Sequence, residues 1–86
     1  MNREQMFGLK VGDTIERSYI GEGNFEAVKI TRVFACGITN NPQSRQHGKA
    51  FVCLYTQFGE RAEMSGSIRE DEETFFRLPK IETSVT

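Results

Sequence analysis

The residues able to bind a metal or act as a nucleophile are few and scattered. Cys36, His47 and Cys53 are the two thiols and the single imidazole of the chain, donor types that suit zinc. Their spacing does not make a zinc site, because there is no Cys-x-x-Cys pair and the fourth ligand is missing. Two small apolar side chains and one loop histidine account for them more simply. Neither a metal nor a cofactor is expected. If the segments carrying Cys36 and Cys53 pair as antiparallel strands, the thiols fall near-diagonal, and a disulfide would need Cα atoms within ~7 Å. Two cysteines are too few for a secreted disulfide scaffold, and free thiols are the expectation in a reducing cytosol.

Other constellations lack mechanical content. Ser44 lies three residues before His47, but a nucleophile, a base and an orienting carboxylate must be held rigidly, and both residues sit in a polar loop. Asp71, Glu72 and Glu73 are adjacent carboxylates, the pattern of a solvated helix start rather than an acid–base pair. Gly21-Glu22-Gly23 has the first two glycines of a dinucleotide loop, but Glu26 stands where the third belongs and no Lys-Ser/Thr follows. No enzyme is expected.

Charge is more informative. The net charge of −1 argues against a dedicated nucleic-acid binder, which usually carries a basic balance, and equally against a heavily acidic mimic of DNA. The balance is nevertheless uneven. Residues 27–61 hold Lys29, Arg32, Arg45, Lys49 and Arg61 against Glu60 alone, while the flanking segments are acidic. With His47, these five cations are the candidate partner-binding residues. Phe34, Tyr55 and Phe58 interleave with them, the outline of a single-strand-binding face. Against that outline, phenylalanines in strands are ordinarily core, and the 39–49 loop offers few cations for a salt-sensitive phosphate grip. A basic loop at 45–49 and an acidic run at 70–73 would give two patches of opposite sign, which steer and select protein partners. The expected function is a small accessory or regulatory module that docks on another macromolecule, a protein in preference to nucleic acid. The alternative is a nucleic-acid-binding module that uses the basic 29–61 segment.

These side chains must be positioned by strands. Residues 14–20 are β-favourable and stop at Gly21-Glu22-Gly23-Asn24. Phe25 to Ile38 is rich in Val, Ile, Thr and Phe, but its alternation slips, and a bulge or strong bend near Arg32 would reconcile the two parities. Thr39 to Lys49 is a polar loop with Pro42 and Gly48. Ala50 to Phe58 is apolar on both parities, which marks a central or a strongly bent strand. A tight turn at Phe58-Gly59-Glu60 leads to Arg61–Arg69, with Ala62, Met64, Gly66 and Ile68 on one parity. Ser67 and Glu70 match a capping box, which predicts a short helical turn that docks Phe75, Phe76 and Leu78 and ends at Pro79. Residues 1–9 predict a further turn anchored by Met6, Phe7 and Leu9. Phe34, Leu54, Met64, Ile68 and Phe76 are the expected core.

The fold expectation is all-β: a small, partly open antiparallel barrel of four to five strands with a short helical turn near the C-terminus. The order of elements resembles the SH3-like barrel layout over residues 9–81. This resemblance is one of element order alone and implies no function. An antiparallel sheet with a C-terminal helix on one face is the competing architecture. The length of 86 residues fits one domain, 1–86, with frayed ends at 82–86. The N-terminal residues lack an apolar signal core, and no stretch reaches the ~18 apolar residues of a spanning helix. A cytoplasmic protein without membrane contact is the expectation.

Overall fold

Branched and aromatic side chains dominate 25–38 and 50–57, and both segments form the long strands that such residues favour. The computed structural model describes residues 1–79, so the expected fraying at 82–86 lies outside the described residues. A short helix, α1 (Arg3–Phe7), precedes β1 (Thr14–Ser18), β2 (Phe25–Ile38), β3 (Ala50–Gln57), β4 (Met64–Arg69) and β5 (Phe76–Arg77). They form one antiparallel sheet in the order β4-β3-β2-β1-β5. The expected meander of β2, β3 and β4 is present, and β3 lies inside the sheet, the central one of its two expected placements.

One face of the sheet carries the core. Ile15, Val28, Ile30, Ala50, Val52, Leu54, Ile68 and Phe76 are buried there with Met1 and Met6. Burying each of the larger side chains contributes about 1.5–3 kcal/mol. A five-residue helix has no stability of its own. Two devices hold α1: a capping box between Asn2 and Gln5, and Met6, which is 1% exposed. Leu9 packs on the core as expected, but Phe7 remains exposed.

The sheet curls until its two edges meet through side chains. The ring of Phe76 on β5 reaches Gly66 on β4, so close that a Cβ at 66 would lie 2.6 Å from Phe76 Cζ. Between these edges runs Arg17 of β1. Its Nη1 donates to Thr56 Oγ1 at 2.7 Å and to the Met64 carbonyl at 3.1 Å, and its Nη2 donates to the Ser65 carbonyl at 2.8 Å. The guanidinium also lies against the rings of Tyr19 and Phe76, at 4.8 and 5.0 Å. Burial lowers its pKa, opposed by Tyr19, yet an arginine stays charged. β4 and β5 are not neighbours in the strand order, so the barrel is not closed by a ladder. One buried side chain spans the opening instead.

Several expectations are corrected. Phe34 is not core but 53% exposed. The register shifts twice, between Ile30 and Arg32 and again between Val33 and Ala35, where one bulge near Arg32 was expected, and the second shift throws Phe34 outward. Met64 is on the inward parity, opposite Thr56, but it opens the strand at an end the core does not cover and is 46% exposed. β4 itself is shorter than expected, and Ala62 lies outside it and exposed. Among the described residues no helix follows β4. The Glu70 carboxylate, expected in a capping box, accepts instead from the Ala50 amide at 2.9 Å and Arg3 Nε at 2.7 Å. Asp71 then adopts a left-handed φ of 62°, which breaks helical continuity. The segment makes one turn, Glu72 N to Arg69 O, and returns as β5 beside β1. A strand alternates its side chains, so Phe76 turns inward while Phe75 stays exposed; Leu78 lies beyond the two-residue strand and is exposed as well.

Candidate functional site

Residues directly opposite across an antiparallel ladder share a face of the sheet, so the pairing defines what the outer face presents. Lys29 stands opposite Gln57. The next row is Arg32, Tyr55 and Ser65, followed by Ala35, Cys53 and Ser67, and then Gly37, Phe51 and Arg69. Phe34 joins this surface at the second register shift, its ring centroid 5.3 Å from that of Tyr55. No carboxylate occupies an outward position of β2, β3 or β4.

The cations and rings are organised together. Arg32 lies over the Tyr55 ring at 5.3 Å and Arg69 over the Phe51 ring at 5.2 Å. The planes of Phe34 and Tyr55 are tilted by 44°, an edge-inclined arrangement that rings prefer over a face-to-face sandwich. Gly37 lets Phe51 lie across β2, since a Cβ there would meet the ring at 3.3 Å. Arg69 Nη1 donates to Thr39 Oγ1 at 3.1 Å, which fixes its reach. Tyr55 and Phe51 are four residues apart on one strand, about 13 Å, and Cys53 lies between them with Sγ 3.8 Å from Ser67 Oγ.

Comparison with family models, curated proteins and solved structures finds no match to this chain. Its site therefore rests on its own geometry.

The six residues expected to bind a partner do not form one surface. Lys29 and Arg32 belong to the outer face. Arg61 sits in the β3–β4 turn over the Phe58 ring at 4.9 Å and faces Glu26 Oε2 at 3.5 Å. That oxygen is buried and has no hydrogen bond among the described residues, so the pair there acts through charge. Arg45, His47 and Lys49 lie at the opposite end of β3. Their loop is braced by its own backbone, with Thr39 and Lys49 bonded at its neck and turns closed at Ser44, His47 and Lys49. The Ser44 hydroxyl is used there as a turn acceptor for the Gln46 amide.

The basic loop and the acidic 70–73 run are not separate poles. Lys49 Nζ lies 3.8 Å from Asp71, and Arg3 joins the Gly48 carbonyl to the Glu70 carboxylate. Glu70 is held below the usual glutamate range, first by the Ala50 amide and then by Arg3. Glu72 is held low by its bonds to Thr74.

The thiols are also separated. Cys53 faces outward, while Cys36 pairs with Val52 on the other face. Both are free, and opposite faces exclude a bond between them within one chain. Among the described residues no three His, Cys, Asp or Glu side chains gather where one ion would reach them. Sequence reasoning missed Arg69, Phe51 and the exposure of Phe34. Arg69 and Phe51 are cross-strand partners with no signal in linear spacing. The imperfect alternation of 25–38 was the trace of Phe34, but it does not count the bulges.

Proposed function

We propose that the protein is a nucleic-acid-binding module that lays its ligand on the outer face of β2, β3 and β4. One observation carries this reading: Lys29, Arg32 and Arg69 share a face with Phe34, Phe51 and Tyr55, and no carboxylate interrupts them. A polyanion is the complementary partner of such a surface, and aromatic faces among cations suit bases beside phosphates. The same aromatic and arginine side chains also favour protein interfaces, which keeps protein docking as the competing reading. Salt separates the two. Three phosphates neutralised on a single strand give a slope of about −2 in log K against log salt, at ~0.7 per contact. A protein interface with an apolar centre depends on salt far less.

The test is titration of a fluorescent oligonucleotide over a salt series with the parent and with Lys29→Ser, Arg32→Ser and Arg69→Ser, singly and combined, melting curves serving as the folding control. Each single change is expected to weaken binding and to flatten the slope by about 0.7. Undiminished binding by the folded triple variant would sink the proposal.

A further inference from the structure

Resting on that reading, we infer that the ligand is a single strand, held by stacking its bases at two stations: the Phe34–Tyr55 pair and Phe51. Duplex and single strand expose different surfaces. In a duplex the base faces are stacked on one another, and only base edges and phosphates are accessible. A protein surface gains nothing from aromatic planes against such a ligand. In an open strand the faces are free, and stacking on aromatic side chains tolerates any sequence.

The structure presents the surface that a strand can use and lacks the element a groove needs. Phe34 is more than half exposed on a face that no other described element covers, and Phe51 and Tyr55 are half-buried beside it. The guanidinium groups of Arg69 and Arg32 lie over their rings, at 5.2 and 5.3 Å from ring centre to carbon. Arg32 sits on a long flexible stem that can swing aside, Arg69 is held beside Phe51 by Thr39, and a planar guanidinium itself stacks on a base. The two stations are about 13 Å apart along β3, the rise of roughly four stacked nucleotides and of fewer when the strand is extended. Between them Cys53 and Ser67 line the floor, and Ser65 stands opposite Tyr55, so two hydroxyls are able to donate to or accept from a base edge. The only described helix, α1, is five residues long and docks Met6 into the core, so it is not available to enter a major groove.

The experiment compares ~12-nucleotide oligo-dT and oligo-U with a hairpin duplex of similar charge. The proteins are the parent, Tyr55→Leu, Phe51→Leu and Phe34→Thr. Leucine keeps apolar cover over the sheet while removing the aromatic plane, so folding is preserved and checked by melting. The single strands are expected to bind at least ~10-fold tighter than the duplex, and losing each station is expected to weaken them by about 5- to 150-fold with the salt slope unchanged. If the duplex binds equally well and the ring variants match the parent while the lysine and arginine variants do not, the stacking inference fails and the nucleic-acid reading stands. If neither ligand form binds the parent, both fail.

Discussion

The contact that most directly tests the curled sheet is the one between Gly66 and Phe76. A Cβ placed on residue 66 lies 2.6 Å from Phe76 Cζ and 3.2 Å from both Phe76 Cε2 and Arg17 Nη2. The ring is 4% exposed, lies under the Arg17 guanidinium at 5.0 Å, and belongs to a residue paired with Arg17 across the β1–β5 ladder. It has little room to step aside. Gly66 does not have positive φ, so alanine there strains no backbone, and by itself the exchange would stabilise by ~0.4–1 kcal/mol through the unfolded state. Overpacking costs about 1–3 kcal/mol. The steric term wins, and Gly66→Ala is expected to destabilise by ~1–2 kcal/mol, which lowers the melting temperature by roughly 5–15 °C in a domain of this size. Far-UV circular dichroism melts give the number, and the double variant with Phe76→Leu gives the cause. The shorter side chain removes the clash, so the alanine penalty should shrink by at least ~0.5 kcal/mol in that background. A Gly66→Ala protein that melts with the parent, or an unchanged penalty in the Phe76→Leu background, refutes the meeting of the two edges.

Two further outcomes follow from burial and from the shifted carboxylates. Phe34→Thr removes a ring that the core does not use and is expected to leave stability within ~0.5 kcal/mol of the parent, whereas Phe76→Ala is expected to lose about 3–5 kcal/mol; equal effects in urea titrations would contradict the assigned faces. Glu70 and Glu72 both titrate below their ordinary range when folded. The stability they contribute is therefore present above the unfolded value of ~4.3 and is lost as pH falls through their lower folded values. Denaturant midpoints measured downward from neutral pH should show that acid loss, reduced in Glu70→Gln, and an identical acid limb in that variant would show that the Ala50 and Arg3 bonds do not hold the carboxylate.

What was legible in the sequence was local. The β-branched run of 25–38 and the doubly apolar run of 50–57 announce their strands, and polar residues 39–49 announce the loop, because each signal is carried by neighbouring residues. The inward parity of Leu54 and Ile68 follows from period two within a straight strand. Phe34 breaks that rule through a bulge, whose position depends on pairing with β3 rather than on the residues of β2. The tail misleads for a similar reason. Ser67 and Glu70 have capping-box spacing, but Glu70 is recruited by Ala50 and Arg3, residues 20 and 67 positions away. Arg17 carries no local signal at all, since its partners Thr56, Met64 and Ser65 come from two other strands. The candidate face was half legible: Lys29, Arg32 and Tyr55 stand out as cation and ring, while Phe51 and Arg69 join them only once β2, β3 and β4 are in register.

Net charge misjudges this surface for a physical reason. A total of −1 weighs carboxylates that are already engaged around the rim. Glu16 pairs with Arg77, Glu26 faces Arg61, Glu70 binds Arg3 and Asp71 approaches Lys49. Each pair cancels a cation together with an acid, at the sheet's β1–β5 side, at the β3–β4 turn or where the long loop meets the tail. Among the described residues Lys29, Arg32 and Arg69 have no carboxylate within ion-pair distance. Coulombic attraction between exposed charges fades beyond about 8–10 Å at ordinary salt, so a ligand lying on the outer face responds to those three groups and not to the molecule's total. The core is built on the opposite face, and the outer rings add little to it. Exposed aromatics that the core does not require are a solubility cost in any sheet. Set among three unpaired cations, they become the feature that a polyanion with free base faces would engage.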